Sequence, residues 1–404
     1  MNPDLNASTE TSGAPASTRR RGRRFAVGFA VAVGWALCFE VGLRIDDWVR
    51  YRTPMLSPYR SQTQLVVRDA DGIHGRPHAR FRKWVLNNEG MRGPDVRRDK
   101  TPGTVRLVAV GASETFGLYE GAGREYPRQL EDSLEAMRRD GRCTCRGVAR
   151  FEVLNGALPG MSLPTVGQDV RNRIRRVSPD GIVLYPSPAQ YLDDESPVAA
   201  RPDSSARAAR AIGLGDRLYP RAIGRLRDQA KLNLPAAVKD FLRRRDAEIS
   251  RSAHSADWQF RSIPMERLAA YRRDLSDALE SIRAAGAQPF VVSHANAFSP
   301  TRPRDESQLV AWGKFYPRAL PAVILAFDDS AAVITRQVAR AQSVGLADWH
   351  ALARTQPGRL FEDFVHMTDR GAALLAGQLA AEIVRWTDAR WSVSSRKPSA
   401  SVED

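Results

Sequence analysis

The sequence predicts a mixed α/β domain built on a parallel sheet and preceded by one membrane-spanning helix. Three observations predict it: an apolar segment at 25–43, apolar runs without polar alternation, and stretches of helical periodicity between those runs. A strand of a parallel sheet is apolar throughout because helices cover both faces of the sheet. The composition, 43% hydrophobic and 26% charged over 404 residues, is typical of a globular protein.

The N-terminal region predicts a membrane anchor. Residues 1–24 are rich in small polar residues and end in RRRGRR, so we expect a disordered, basic cytoplasmic tail. Segment 25–43 carries one charge, Glu40, and about 20 apolar residues cross a bilayer. The cationic block before the segment places the N-terminus in the cytoplasm and Glu40 near the outer interface. A cleaved signal peptide is the alternative, disfavoured by the length of the apolar run and the lack of a small-residue cleavage site.

The positive charge is unevenly distributed. The net charge is +15, and the stretch 201–251 is among its most basic parts. Such a cluster suits phosphate, anionic lipid or acidic sugar. Nucleic acid is disfavoured as a partner, because zinc-finger spacing and interleaved basic and aromatic residues are both missing.

The three cysteines do not form a disulfide framework. Cys143 and Cys145 lie one residue apart, so a disulfide between them would be strained, although an oxidising compartment would permit it. Metal binding is less favoured, because no second ligand cluster is near in sequence. We therefore expect no metal and no organic cofactor.

The remaining chain divides into a lead-in, one α/β domain and a tail. Residues 46–103 indicate an irregular β lead-in, and 389–404 a disordered tail. The α/β pattern covers 104–388 and is interrupted at 191–262 by an Arg-rich insertion. The predicted strands lie within 104–111, 151–160, 180–186, 287–295 and 343–350, and the predicted helices are 125–139, 163–177 and 371–386.

Three residues form a candidate catalytic set. The segment LVAVGASETFG (107–117) places Ser113 directly after a buried strand, and FEDFVH places Asp363 three residues before His366, ahead of the last helix. Serine hydrolysis needs a nucleophile, a histidine that takes its proton, and a carboxylate that orients the histidine. Each pattern alone is common by chance, since a serine after glycine is ordinary turn chemistry.

Together and in this order, the motifs resemble those of the SGNH hydrolase superfamily, also called GDSL esterases and lipases. The resemblance covers about 85–385 and implies a flavodoxin-like, three-layer fold with a five-stranded parallel sheet. The matching segments are GASETFG (111–117) for the block GDSxTxG, NGALPGMS (155–162) for the second block, DFVH (363–366) for DxxH, and NNEGMRGPD (87–95) for the lead-in of secreted bacterial members.

The resemblance implies a role for each matched residue. Ser113 would be the nucleophile, His366 the general base and then the general acid, and Asp363 the group that orients His366. The backbone N–H groups of Ser113 and Gly160 would bind the oxyanion.

Two positions depart from the family pattern. Ala112 replaces the Asp of GDS, which is not a member of the triad. The third block, GxND, donates an Asn side chain to the oxyanion, but the corresponding segment YPSPAQ (185–190) has no Asn and Pro has no N–H. Gln190 and Ser187 are the candidates to replace that Asn.

The expected function is a serine esterase with an acyl-Ser113 intermediate, anchored in a bacterial inner membrane with its catalytic domain in the periplasm. The expected substrate is an ester at the membrane surface, either an acylated cell-envelope polysaccharide or a lipid, with transfer to a sugar hydroxyl giving an O-acyltransferase. His294, at the end of the fourth strand, is a candidate substrate contact. The alternative is an inactive domain that binds glycan or a partner protein, as the missing Asn would favour.

Overall fold

The computed structural model describes most of the chain. The described residues are 16–51, 55–56, 65–81, 83–145, 147–193, 214–226, 252–298 and 305–394, with scattered residues between 238 and 249. The expected disordered tails lie largely outside the described residues, as does most of the insertion.

The first element is one long helix, α1 (Ala16–Tyr51). It extends beyond 25–43 on both sides and includes the basic block that we expected in a disordered tail. The candidate span Ala26–Val49 contains an 18-residue window of which no residue is buried, and its mean hydropathy is 1.9. A membrane span and a signal sequence both have this length and composition.

Glu40 of α1 binds the insertion. Its carboxylate accepts hydrogen bonds from Arg44 Nε at 2.8 Å and from the backbone N–H groups of Arg221 at 2.8 Å and Ala222 at 3.2 Å. Residues 221–226 are helical, so Glu40 pairs with the N–H groups that open that turn. Two turns further along α1, Asp47 lies 3.4 Å from the Arg221 guanidinium, and each side chain is 1% exposed.

The lead-in consists of two small antiparallel hairpins, as its turn signals predict. They are formed by β1 (Val66–Asp69) with β2 (Gly72–Gly75), and by β3 (Arg80–Phe81) with β4 (Trp84–Val85).

The domain is built on a five-stranded, fully parallel sheet. Its strands run in the order β6-β5-β7-β8-β9, which is the 2-1-3-4-5 order of flavodoxin-like folds. The predicted five-stranded parallel sheet is therefore confirmed. The strands are β5 (Thr104–Gly111), β6 (Arg150–Asn155), β7 (Gly181–Tyr185), β8 (Gln288–Val292) and β9 (Gly345–Ala347).

Helices cover both faces of the sheet. Every residue of β5 is buried, and its side chains alternate between two cores: Val108 and Val110 in one, Leu107 and Ala109 in the other. The helices are α2 (Ser113–Phe116), α3 (Tyr126–Arg139), α4 (Leu163–Asn172), α5 (Leu214–Leu218), α6 (Met265–Ala284), α7 (Glu306–Phe315), α8 (Pro321–Ala341), α9 (Trp349–Thr355) and α10 (Asp369–Ser394). Residues of α4, α6 and α8 belong to the first core and residues of α3 and α10 to the second, which gives three layers.

Cys143 and Cys145 are joined as a disulfide, the pairing that the sequence permits in an oxidising compartment. The Asp388 carboxylate lies 3.7 Å from Cys143 Sγ, and the three side chains form one group of potential metal ligands in the described part of the chain. The reduced protein would offer two thiolates and a carboxylate there, whereas the oxidised protein offers the carboxylate alone.

Candidate active site

The turn that carries Ser113 is built at the carboxyl end of β5. Gly111 ends the strand, and a Cβ there would lie 2.4 Å from the Tyr185 carbonyl oxygen of the adjacent β7, so glycine is required. Ser113 then opens the single-turn α2, which ends at Gly117 in the left-handed conformation (φ 81°). The nucleophile candidate thus lies at the edge of the sheet where ligands bind in such folds.

Two buried side chains donate hydrogen bonds to the backbone carbonyls of this turn. Arg92, from the lead-in, donates to the carbonyls of Phe116 and Gly117 and forms an ion pair with Glu125 at 2.9 Å. Asn155, at the end of β6, donates from Nδ2 to the Thr115 carbonyl at 3.0 Å. The lead-in and the second block, found by resemblance alone, therefore support the Ser113 turn.

Asp363 and His366 form a hydrogen-bonded pair in the loop before α10. Asp363 Oδ2 lies 2.8 Å from His366 Nδ1, and Oδ1 accepts the backbone N–H groups of Val365 at 3.0 Å and His366 at 2.8 Å. When Nδ1 donates to a carboxylate, Nε2 of the neutral ring is the acceptor. His366 Nε2 is buried and has no hydrogen-bond partner among the described residues, so it is available to a serine hydroxyl.

Both expected oxyanion donors are unengaged. Within the described part of the chain, neither the Ser113 N–H nor the Gly160 N–H donates a hydrogen bond, and Gly160 sits in a left-handed turn (φ 81°) after β6. Gln190 lies in a 3₁₀ turn, with its N–H directed to the Ser187 carbonyl at 3.3 Å. Gln190 as a third donor stays a prediction, and the Ser187 hydroxyl is already bonded to Glu114.

Glu114, which sequence reasoning did not single out, lies directly beside the nucleophile. Its side chain is 4% exposed. Oε2 accepts the Ser113 hydroxyl at 3.1 Å, while Oε1 accepts the Ser187 hydroxyl and lies 3.3 Å from His294 Nε2. In the resting site the Ser113 hydroxyl is therefore bonded to Glu114.

His294 continues this network into the core. Its ring is 1% exposed, and Nδ1 lies 2.7 Å from Oδ1 of Asp328 on α8, whose other oxygen accepts Asn296 Nδ2 at 2.7 Å. Carboxylates face both ring nitrogens of His294. The expected contact of His294 with the substrate stays a prediction. The sequence carried one signal for this site, the carboxylate of Asp328 among the mostly apolar buried residues of α8.

The contacts within the network favour the charged forms of His294 and Glu114. Burial alone would lower the pKa of His294, but the charges and hydrogen bonds of Asp328 and Glu114 raise that pKa to about 10. Burial would likewise raise the pKa of Glu114, but the bond to His294, with smaller effects of His366 and Ser187, lowers it to about 2. A protonated imidazole is thus held between two carboxylates under the nucleophile.

A second acidic residue lies close to His366. Glu120 is 2% exposed, and burial raises its pKa to about 7 against the opposing effects of nearby N–H groups and His366. The adjacent Tyr119 ring is 53% exposed, with its centroid 5.0 Å from that of His366. Tyr119 therefore offers an accessible aromatic face beside the histidine.

A cleft of about 190 Å³ adjoins the Asp363 loop on its other side. The Ala297 N–H of its wall donates to the Phe364 carbonyl at 2.9 Å, which ties the cleft to the loop. Neither Ser113 nor His366 lines this cleft. Its lining residues are Ala297, Phe298, Asp305, Gln308, Arg359, Leu360 and Phe361.

Comparison with known proteins finds likeness at the level of structure. No protein-family model matches the chain, and no curated protein matches it. Similar solved structures include a lipase/acylhydrolase from Enterococcus faecalis, 14% identical over 70% of this chain and 96% of that one, with a TM-score of 0.39. An acetylxylan esterase from Geobacillus stearothermophilus, as a catalytic mutant, is 12% identical over 69% and 93%, with a TM-score of 0.39.

A third similar structure is described as a putative lipolytic protein of the G-D-S-L family, from Desulfitobacterium hafniense DCB-2. It is 9% identical over 69% of this chain and 99% of that one, with a TM-score of 0.36. The G-D-S-L family named in that description is the family that the motifs of this sequence resemble. The flavodoxin-like order assigned above rests on the strand pairing of this chain itself.

Proposed function

We propose that this protein is a serine ester hydrolase of the SGNH type, which cleaves its substrate through an acyl-Ser113 intermediate. One observation carries the proposal: the Asp363–His366 pair leaves Nε2 buried and without a hydrogen-bond partner among the described residues. The charge of His366 lowers the pKa of Glu114, the residue that follows Ser113, which supports the approach of His366 to the Ser113 turn.

The chemistry follows from these roles. His366 Nε2 takes the Ser113 proton as Oγ bonds to the carbonyl carbon, and the N–H groups of Ser113 and Gly160 stabilise the oxyanion. His366 then gives that proton to the departing alkoxide. Water, deprotonated by His366, attacks the acyl-serine and releases the acid, whereas a sugar hydroxyl in place of water gives transfer. Asp363 holds the imidazole in the required tautomer throughout.

The proposed setting is the outer face of a bacterial inner membrane. We propose that α1 is a single-pass anchor with the catalytic domain in the periplasm, supported by the exposed apolar window within Ala26–Val49 and the basic block before it. The proposed substrate is an O-acyl group of a cell-envelope polysaccharide. The exposed Tyr119 ring beside His366 supports it, because sugars stack on aromatic faces at such sites. A lipid ester is the alternative substrate.

The test is covalent labelling with a fluorophosphonate, which reacts with activated serines. We expect the full chain in detergent to be labelled and Ser113→Ala to be unlabelled, with mass spectrometry locating the adduct on residue 113. Ser162→Ala is a control, because that serine caps α4. Absence of labelling in a well-folded wild type would refute the hydrolase.

A domain that binds without catalysis is the second candidate, and one contact favours it. The Ser113 hydroxyl is bonded to Glu114 at 3.1 Å, and the third-block Asn is missing. Binding of acetylated glycan by a folded but unlabelled wild type, unchanged in Ser113→Ala, would support this candidate.

The pH profile of kcat/KM should fall on its acidic side with a midpoint above pH 6.5. Burial lowers the pKa of His366, but the hydrogen bond and charge of Asp363, reinforced by Glu114 and Glu120, raise it above its usual 6.5. The base must be neutral, so kcat/KM should fall as pH decreases through this raised pKa. A kcat/KM profile on an aryl acetate checks this, and an inflection below pH 6 would contradict it.

Tyr119→Ala is expected to distinguish a sugar substrate from a simple ester. Loss of the ring should raise KM for an acetylated oligosaccharide by about 2–10-fold, since an aromatic contact is worth roughly 0.5–1.5 kcal/mol. The kcat/KM for p-nitrophenyl acetate should change little, and Tyr119→Phe should retain the wild-type KM. Equal losses on both substrates would argue against a sugar platform.

A further inference from the structure

The Ser113 hydroxyl faces the wrong partner for nucleophilic catalysis. It donates to Glu114 Oε2 at 3.1 Å, while His366 Nε2 is buried without a partner among the described residues. A general base must be within hydrogen-bond reach of the proton it abstracts. The serine proton must therefore change acceptor before the reaction begins.

Glu114 is held in place as an anion. Ser187, on the β7 side, donates to Oε1, and His294 from the end of β8 lies 3.3 Å from the same oxygen. Asp328 on α8 fixes His294 from behind at 2.7 Å. All three members of the Glu114–His294–Asp328 chain are at most 4% exposed, so neither solvent nor a rotamer change readily removes the acceptor from Ser113.

We propose that Glu114 is a positioning residue that latches Ser113: it holds the serine hydroxyl in the resting site, and the serine reacts only after the hydroxyl turns from Glu114 to His366. This inference rests on the proposed function. No covalent bond breaks in the release, since the O–H exchanges one acceptor, Glu114 Oε2, for another, His366 Nε2. The proton leaves Oγ only in the following step, when Oγ bonds to the carbonyl carbon and Nε2 receives the proton.

Glu114 does not act as the base itself. With a pKa of about 2, its carboxylate is a weak proton acceptor at neutral pH, although it is a strong hydrogen-bond acceptor. Its charge also acts on His366, which is faced by Asp363 from its own loop, by Glu114 from α2 and by Glu120 from the segment after α2. Glu114 therefore affects the serine by contact and the histidine by charge.

Two substitutions separate these effects. Glu114→Gln replaces the anion with a weaker neutral acceptor, so phosphonylation of Ser113 should become about 3–10-fold faster at the alkaline plateau. The acid limb should also move to lower pH by roughly one unit, because a negative charge near His366 is lost. Glu114→Asp keeps the negative charge but moves it away from Ser113. It should therefore raise the labelling rate at the alkaline plateau and leave the midpoint of the acid limb unchanged.

The experiment measures the second-order rate of fluorophosphonate labelling against pH, on the full chain in detergent, together with ¹⁵N-histidine NMR titration of His366. Glu306→Gln, an exposed carboxylate on α7, is the matched control and should change neither quantity. Thermal unfolding confirms that each variant is folded.

The latch is supported if both Glu114 variants are labelled faster at the alkaline plateau and if the acid limb moves to lower pH in Glu114→Gln alone. A plateau that is unchanged or slower in folded Glu114→Gln and Glu114→Asp overturns it. If neither the wild type nor any variant is labelled, the proposed function fails. The latch, which rests on that function, is then overturned with it, whereas an unchanged plateau rate in labelled, folded variants overturns the latch alone.

Discussion

His366→Ala is expected to lower kcat for ester hydrolysis by about 10⁴-fold or more, with little change in KM and a normal unfolding temperature. The loss follows from the geometry, because Asp363 lies 2.8 Å from His366 Nδ1 and Nε2 has no hydrogen-bond partner among the described residues. Steady-state kinetics on an aryl acetate, with circular dichroism to confirm folding, measure both parts of the expectation.

Non-additivity gives the sharper test of the same site. Residues that act as one unit lose their function together, so Ser113→Ala with His366→Ala should be no slower than either single variant. Asp369→Asn is the control, because this exposed carboxylate in the same region accepts the Gly121 N–H at 2.8 Å and touches neither reacting group. Independent, multiplying losses would contradict a single catalytic unit.

Arg92→Met is expected to cost about 3–5 kcal/mol of unfolding free energy, the usual cost of breaking a buried ion pair. The side chains of Arg92 and Glu125 are 5% and 6% exposed and 2.9 Å apart. The substitution leaves Glu125 as an uncompensated buried charge and removes the donor that binds the Phe116 and Gly117 carbonyls. Urea unfolding of the full chain in detergent measures the loss.

Arg142→Met is the matched control for that substitution. Arg142 also pairs with a carboxylate, Asp140 at 3.0 Å, but the two side chains are 59% and 57% exposed. Exposed ion pairs contribute little because water screens them, so the urea midpoint should hardly change. Similar losses in both variants would show that burial of the Arg92 pair is not what stabilises the turn.

The elements with strong local patterns could be predicted from the sequence. The run TVRLVAVG is apolar at both faces because β5 lies between two helical layers, and every one of its residues is buried. Ser113, Asp363 and His366 were found because spacing and order along the chain are properties of the sequence. Their joint catalytic role stays a prediction.

The Glu114–His294–Asp328 chain was not predictable, and the reason is physical. Its members are separated by 180 and 34 residues, and its two acidic members are of types that are rarely fully buried. Only the fold brings them together, by placing the ends of β5 and β8 at one edge and α8 against the same layer. The extent of α1 was also missed, because a basic block is compatible with either a helix or a disordered segment.

The bonds from Glu40 to the insertion limit how far the catalytic domain can move from α1. If α1 spans the membrane as proposed, about 14 residues join its end at Tyr51 to β1, a leash of at most about 50 Å when fully extended. The contacts of Glu40 and Asp47 with Arg221 add a second attachment between α1 and the rest of the chain. By holding the catalytic domain at the membrane, these attachments raise the effective concentration of the site for esters bound to the same surface, but not for dissolved esters. Removal of α1 should therefore slow the turnover of envelope polymers and leave the turnover of freely diffusing esters unchanged.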